Sequence, residues 1–220
     1  MGYLIDVETL VLGVPICLIV LAISIFKKHK KDIKINWIRE GVKFIFTLYV
    51  FLLVGVTLFP ISIGIKHSTE YFRFPINLIP FKEVVKRISE IGTAYNGDIG
   101  FQMSIILRNV GGNLILLIPL GVMSPIIWKK FTQIKMVIIE GFVVSASIEL
   151  LQLVEILCGI GLRVVDIDDV ILNVLGVIIG YLIYRSIFYI SNKYNIKFMI
   201  NMFAENTKKQ QSNSDSIFSS

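Results

Sequence analysis

Carboxylate and amide side chains recur at helical spacing in the C-terminal half of the chain, inside runs of residues that are otherwise apolar. Gly141, Ser145, Glu149 and Gln152 follow intervals of four, four and three residues, which places them on one face of a helix. An ionisable side chain within a membrane-spanning helix costs at least about 2.5 to 3.5 kcal/mol, so it normally faces protein or water and marks function. We therefore expect the face that carries Glu149 to point away from lipid and to form part of a site.

The next apolar run repeats this arrangement. Asp166, Asp169, Asn173, Gly176 and Gly180 are spaced by three, four, three and four residues, so they also share one helical face. The start of this face is acidic and amidic, whereas Gly176 and Gly180 form the Gly-x-x-x-Gly pattern that lets two membrane helices pack closely. We predict that the face packs against a neighbouring helix at depth and opens into a site near its start.

Two arginines accompany these carboxylates. Arg108 lies at the start of an earlier apolar run, and Arg163 shortly precedes the aspartates. Arginine among carboxylates favours either a neutralised, hydrogen-bonded cluster or a site that holds an anionic or polar head group. For Glu149 both helix locking and ligand contact remain open, whereas for Asp168 and Asp169 capping of the helix N-terminus is favoured. The whole candidate cluster is Glu149, Arg163, Asp166, Asp169, Asn173, Asn113, Gln152, Arg108 and Asp168.

The elements that must position this cluster are membrane helices. With 55% hydrophobic and only 17% charged residues, the chain of 220 residues is too apolar for a domain whose surface faces water. A spanning helix needs about 20 predominantly apolar residues in a row. Runs of this kind cover residues 9–26, 44–65, 109–128, 136–157 and 170–190. We therefore predict an all-α, polytopic membrane bundle with five transmembrane helices.

The orientation of the bundle follows from the positions of its basic residues. Cytoplasmic loops of membrane proteins carry an excess of Lys and Arg, and most of the 22 such residues fall into inner segments if the N-terminus lies outside. The sequence thus predicts an outer N-terminus, an inner C-terminus and a candidate cluster on the outer side. The basic residues are dispersed between apolar runs rather than gathered on one face with aromatic residues, so we expect no nucleic-acid partner.

Two further features concern the outer side and the third apolar run. Apolar residues recur at helical spacing between residues 81 and 91, and Pro80 is a helix start signal. Such an amphipathic helix either rests in the membrane interface or covers the cluster as a lid, and both roles remain open. Pro119 predicts a kink or break in the third run, which would free a backbone carbonyl near mid-membrane.

Three segments of the chain carry a family resemblance. Residues 77–81 read Asn-Leu-Ile-Pro-Phe, residues 112–121 begin with Gly-Asn-Leu and end with Pro-Leu-Gly, and residues 147–180 contain the Glu149, Gln152 and aspartate pattern described above. At these residues the sequence resembles the VanZ-like family of bacterial membrane proteins. The resemblance implies a multi-pass protein of the bacterial cell membrane and, for some members, a contribution to resistance to the glycopeptide teicoplanin.

With this resemblance the chain divides into three parts. Residues 1–43 hold the first span and a basic cytoplasmic loop. Residues 44–184 form the VanZ-like membrane domain, including a long outer loop over residues 62–108. Residues 185–220 form a cytoplasmic tail that we expect to be disordered at its end, because polar residues dominate it.

Three functions from different classes remain. The favoured one is a non-enzymatic contribution to glycopeptide or lipoglycopeptide resistance, in which the cluster holds a cell-wall precursor head group or a moiety of the antibiotic. An enzyme acting on a lipid or cell-wall precursor head group is less favoured, because His29 and His67 lie in loops and no nucleophile motif is present. A small-solute carrier is third, since no inverted repeat is evident. We expect membrane lipids as partners, and neither a cofactor nor a metal.

Overall fold

The computed structural model describes residues 3–5, 13–30, 36–59, 61–63, 76–160, 164–198, 200 and 203 of the chain. Its helices are α1 (Gly13–His29), α2 (Trp37–Leu58), α3 (Lys82–Ser89), α4 (Ile99–Ile106), α5 (Gly112–Leu116), α6 (Ile118–Ile127), α7 (Ile134–Leu157) and α8 (Ile167–Lys193). A π-helical segment, Leu107–Gly111, joins α4 to α5, so that residues 99–127 form one long, irregular helix.

Four of these helices are long and apolar enough to cross a membrane, namely α2, the 99–127 helix, α7 and α8. The apolar part of α1, Val14–Lys27, is shorter, and residues 9–12 of the first predicted span lie outside the described residues. Large apolar side chains are exposed along all of these helices, as expected of surfaces that face lipid. The predicted all-α membrane bundle is confirmed, and its orientation in the membrane stays a prediction.

The described part of the chain also contains two short strand pairs that the sequence did not indicate. Strand β1 (Tyr3–Ile5) pairs antiparallel with β2 (Ile61–Ile63). Strand β3 (Ile76–Asn77) pairs in parallel with β4 (Val165–Asp166), opposing Asn77 to Asp166. The second pair fastens the segment before α3 to the start of α8, although almost 90 residues separate the two in sequence.

The 99–127 helix begins ten residues earlier than the apolar run that starts at Asn109. At 1.5 Å per residue it extends over roughly 43 Å, so α4 continues beyond a hydrocarbon core of about 30 Å. The helix breaks at Leu117, whose φ and ψ are −103° and 7°, two residues before Pro119. The hydroxyl of Tyr49 on α2 donates a hydrogen bond of 2.9 Å to the carbonyl oxygen of Leu116. The predicted break at Pro119 is therefore present, and a side chain of a neighbouring helix satisfies a carbonyl beside it.

Helix α8 packs against the 99–127 helix through glycines. A Cβ atom on Gly176 would collide with the carbonyl oxygen of Leu114, and a Cβ atom on Gly180 would collide with that of Ile118. Because the obstructing atoms are backbone, no rotation of a side chain would relieve either contact. The close approach of the two backbones places the start of α8 beside α5, where the polar residues of both lie.

Helix α3 lies in the segment that connects α2 to the 99–127 helix, and it has no buried residue. Its N-cap is Phe81, which has a left-handed backbone with a φ of 59°, an uncommon conformation for a bulky residue. The apolar side chains of Phe81, Val85 and Ile88 are exposed. The amphipathic helix predicted to follow Pro80 is therefore present, and Val84 and Arg87 border a cavity described below.

Candidate functional site

A cavity of about 760 Å³ lies at one end of the bundle, among α2, α3, the 99–127 helix, α7 and α8. It occupies the C-terminal ends of α2 and α7 and the N-terminal part of α8, which are brought together because neighbouring helices run in opposite directions. Eight members of the candidate cluster line it. They are Arg108, Asn113, Glu149, Gln152, Asp166, Asp168, Asp169 and Asn173. The ninth member, Arg163, lies outside the described residues.

Asp166 joins the strand pair to the start of α8. It is the N-cap of that helix, and its Oδ1 accepts a hydrogen bond of 2.9 Å from the backbone N–H of Asp168. The same oxygen accepts a hydrogen bond of 2.9 Å from Nδ2 of Asn77 in β3. Capping is thus one structural role of the aspartate group, and the residue that performs it is Asp166.

Asp168 fastens the start of α3. Its side chain is buried, and its Oδ1 accepts a hydrogen bond of 2.6 Å from the backbone N–H of Phe81. A carboxylate is an effective acceptor for a backbone N–H, and here the bond holds a residue whose left-handed backbone is unfavourable on its own. Asp168 therefore positions the α3 side of the cavity.

Glu149 is buried within the bundle, with 7% of its surface exposed. Its Oε2 accepts a hydrogen bond of 3.1 Å from the backbone N–H of Asp166. This contact ties the C-terminal part of α7 to the start of α8. Glu149 thus has a helix-joining contact and a position on the cavity wall at the same time.

Amide side chains connect the remaining helices around the cavity. Nδ2 of Asn113 donates a hydrogen bond to Oδ1 of Asp169, joining α5 to α8. Nδ2 of Asn173 donates to Oγ of Ser145 at 2.9 Å, joining α8 to α7. Nε2 of Gln152 donates to the carbonyl oxygen of Thr57 at 2.9 Å, joining α7 to α2. Each of these amide groups therefore donates a hydrogen bond to a neighbouring helix.

Among the residues that the structure describes, three acceptor oxygens on the cavity wall have no hydrogen-bond partner. They are Oε1 of Gln152, Oδ2 of Asp168 and Oδ1 of Asn173, and all three atoms are buried. A buried polar atom without a partner costs about 1 to 3 kcal/mol, so native proteins keep few of them without a functional reason. The wall formed by α7 and α8 is consequently rich in acceptors and calls for a ligand that supplies donors.

Basic residues stand on other sides of the cavity. Arg87 reaches it from α3, and Arg108 reaches it from the π-helical segment. Within the described part of the chain, neither guanidinium takes part in an ion pair. Single π-helical turns are frequent at functional sites. Both arginines are therefore available to an anion that enters the cavity.

The sequence missed several residues of this site. Asn77, Thr57, Glu83 and Arg87 line the cavity but were not in the candidate cluster. Asn77 begins the segment at 77–81 on which the family resemblance partly rests, so a signal for it was present. Nothing in the local pattern marked Thr57. The amphipathic pattern of residues 81–91 contains Glu83 and Arg87, but it left open whether that helix covers the cluster.

Metal binding finds no support in the donor arrangement. Among the described residues, no three or more His, Cys, Asp or Glu side chains are grouped so that they could hold an ion. Oxygens of Asp166 and Asp168 already accept N–H donors of the protein. The cavity can instead bind hydrogen-bond donors on its α7 and α8 wall and an anion beside its arginines.

A second polar cluster lies at the opposite end of the bundle. Glu40 on α2 accepts hydrogen bonds from Ser24 on α1 and from Lys43, at 3.1 and 3.0 Å. Deeper in the same half, Oγ of Ser124 donates to Oε1 of Glu140 at 2.9 Å. Fully buried apolar side chains, including those of Leu117 and Val177, lie in the core between this end and the cavity.

The fold and the site define a polytopic helical membrane protein with a polar, partly charged cavity at one end of its bundle. The chain belongs to the VanZ/LLP1 family, whose model matches residues 46–189. The matched region runs from α2 into α8 and includes every residue that lines the cavity. No curated protein and no solved structure matches the chain.

Proposed function

We propose that the protein contributes to resistance against glycopeptide antibiotics of the teicoplanin type, acting without catalysis at the outer face of a bacterial cell membrane. In this proposal the cavity holds a cell-wall precursor head group or a moiety of the antibiotic and so reduces the access of the drug to its target. The observation that carries it is the gathering of eight candidate residues around one cavity at the bundle end that the distribution of basic residues assigns to the outside.

The distribution of basic residues supports this orientation. Lys43, Lys129, Lys130, Lys135 and Lys193 all lie at the end of the bundle opposite to the cavity. Basic residues beside membrane helices favour the cytoplasmic side. An outer cavity, an outer N-terminus and an inner C-terminus follow from the same assignment.

The orientation can be tested with the cysteines of the chain. Cys158 follows α7 at the cavity end and is exposed, whereas Cys17 is buried. A membrane-impermeant maleimide added to intact Gram-positive cells should label the wild-type protein, and Cys158→Ser should abolish the labelling. Labelling that requires lysed cells would place the cavity inside and would contradict the proposal.

The dimensions and contacts of the cavity suit binding better than the two other functions. A volume of about 760 Å³ is in the range of small-ligand sites, so it fits a head group or one moiety of a glycopeptide rather than the whole drug. Oxygens of Asp166 and Asp168 hold backbone N–H groups in place, which ties them to structure rather than to proton transfer. The buried core below the cavity offers no support for a carrier.

Resistance itself should be measured in a susceptible Gram-positive host. We expect expression of the wild-type protein to raise the inhibitory concentration of teicoplanin, and Glu149→Gln and Asp169→Asn to lower this gain. Asp98→Asn is the matched control, because Asp98 caps α4 and does not line the cavity. Comparable amounts of each variant in the membrane must be verified. An unchanged inhibitory concentration with the wild-type protein would refute the proposal.

A further inference from the structure

We infer that the cavity binds a phosphate-bearing head group whose other polar atoms are hydrogen-bond donors, either hydroxyl or ammonium. The inference rests on the proposed function, because it names the chemistry of the head group held at the same site. Two sets of atoms on different elements around the cavity support it. One set favours an anionic group on the ligand, and the other favours hydrogen-bond donors.

The first set consists of the guanidinium groups of Arg87 and Arg108. One belongs to α3 and the other to the π-helical segment, and both border the cavity without an ion pair in the described part of the chain. A guanidinium offers several N–H donors in a planar fork that matches the oxygens of a phosphate. Two such groups beside one cavity favour a phosphate as the anionic part of the ligand.

The second set consists of oxygens of Gln152, Asp168 and Asn173, each without a hydrogen-bond partner in the part of the chain that the structure describes. These residues are 4%, 3% and 1% exposed, and each borders the cavity. Nε2 of Gln152 donates to the carbonyl oxygen of Thr57, so the remaining amide oxygen can only accept. Three acceptors without donors select against a ligand that carries acceptors alone, and they favour hydroxyl or ammonium groups.

The rest of the lining fits a lipid as the source of this head group. Apolar side chains of Val56, Ile106, Leu116, Ile148 and Leu172 also border the cavity, and they come from the same membrane helices. A head group with attached apolar chains would thus meet both kinds of surface. A soluble phosphate ester would use the polar part of the lining only.

The binding experiment compares matched ligands on the purified full-length protein in detergent. Short-chain phosphatidylethanolamine and phosphatidylcholine share one phosphate, and both are zwitterionic, but only the first carries N–H donors. We expect phosphatidylethanolamine to bind about tenfold tighter by calorimetry, the effect of one or two hydrogen bonds to buried acceptors. Equal affinity for the two lipids would overturn the inference.

Glycerol 3-phosphate serves as the soluble ligand in this comparison. It carries both a phosphate and hydroxyl donors but no apolar chain. Binding as tight as that of phosphatidylethanolamine would support the ligand class and identify a soluble phosphate ester as its source. Binding at least about tenfold weaker would support the class with a lipid as the source. Absence of binding by all three ligands would overturn the inference.

Variants of the protein test recognition of the phosphate and recognition of the hydrogen-bond donors separately. Arg87→Gln and Arg108→Gln should each weaken both lipids by about tenfold, while Arg185→Gln, which removes an exposed charge far from the cavity, should leave both unchanged. Asp168→Asn can keep an oxygen for the N–H of Phe81 and places a donor where the unpartnered acceptor was. It should reduce the preference for phosphatidylethanolamine over phosphatidylcholine, and an unchanged preference would count against the inference.

Thermal unfolding of each variant tests whether a loss of binding reflects a loss of folding. The resistance assay distinguishes this inference from the proposed function. Binding of phosphatidylethanolamine without any gain in resistance would leave the inference standing and refute the function. Resistance that persists in Arg87→Gln and Arg108→Gln, together with equal affinity for the two lipids, would leave the proposed function standing and refute the inference.

Discussion

The Oδ1 atom of Asp168 accepts a hydrogen bond of 2.6 Å from the backbone N–H of Phe81, although 87 residues separate the two in sequence. Asp168 lies in the first turn of α8, and Phe81 is the N-cap of α3. Together with the hydrogen bond from Asn77 to Asp166, this contact holds α3 against the start of α8. The position of Arg87 beside the cavity therefore depends on a carboxylate of α8.

Replacing Asp168 by Ala should loosen the α3 segment. The variant leaves the N–H of Phe81 without its acceptor, and the left-handed backbone at this residue loses its restraint. We expect a loss of about 1 to 3 kcal/mol and faster amide hydrogen exchange across residues 76–89, measured by mass spectrometry.

Asp98→Ala is the control for this measurement. Asp98 also accepts a backbone N–H, that of Phe101, but at the start of α4. It should affect exchange in α4 and leave residues 76–89 as in the wild type. Unchanged exchange over residues 76–89 in Asp168→Ala would show that this contact does not hold α3.

Gly176→Ala should destabilise the bundle. The new methyl group would meet the carbonyl oxygen of Leu114, and since that atom is backbone, α8 must move away from α5. We expect a cost of about 1 to 3 kcal/mol or more in thermal unfolding followed by circular dichroism. Gly41→Ala in α2 has nothing within 4 Å of the added carbon, so it should be neutral or slightly stabilising. Equal effects of the two substitutions would contradict the close packing at Gly176.

Tyr49→Phe should destabilise the break in the 99–127 helix. The variant removes the donor that satisfies the carbonyl oxygen of Leu116 while it keeps the aromatic ring. We expect a loss of about 0.6 to 2 kcal/mol, the range found for hydrogen bonds between membrane helices. Tyr189→Phe removes a hydroxyl from an exposed ring and should have no effect. If both variants unfold at the wild-type temperature, the Tyr49 contact contributes nothing to stability.

Helical periodicity was sufficient to predict the helical bundle and to bring most of the candidate residues to one end of it. Glu149, Asp169 and Asn173 could be assigned to one end because spacing fixed their helical faces and the alternating direction of the helices brought those faces together. The break near Pro119 could be predicted because proline removes a backbone donor wherever it occurs. These features depend on local chemistry and on the order of the spans.

The long-range contacts between the segment of β3 and α3 and the start of α8 could not be predicted in the same way. The pairing of β3 with β4 involves two residues from each strand, too few to produce a pattern of their own. Arg87 lies on α3, and hydrogen bonds to Asp168 and Asp166 hold the segment that precedes this helix. The early start of the third helix at Ile99 was missed because the polar residues Arg108 and Asn109 interrupt its apolar run.

Glu140 offers a test of whether the two polar ends of the bundle act independently. Its Oε1 accepts a hydrogen bond of 2.9 Å from the fully buried Ser124, while its Oε2 is buried and has no hydrogen-bond partner among the described residues. Glu140→Gln can keep an oxygen for Ser124 and removes a charge whose burial is costly, so the free energy of unfolding should stay equal or rise by about 1 to 2 kcal/mol.

Ser124→Ala should have the opposite effect, because it takes away the donor to Oε1 and leaves the carboxylate of Glu140 without that bond. We expect a loss of about 1 to 3 kcal/mol in thermal unfolding. Binding at the cavity should be unchanged in both variants, since the fully buried side chains of Leu117 and Val177 lie in the core between the two ends. A Glu140→Gln variant less stable than Ser124→Ala, or one with altered cavity binding, would mean that the charge of Glu140 is required and that the two ends are coupled.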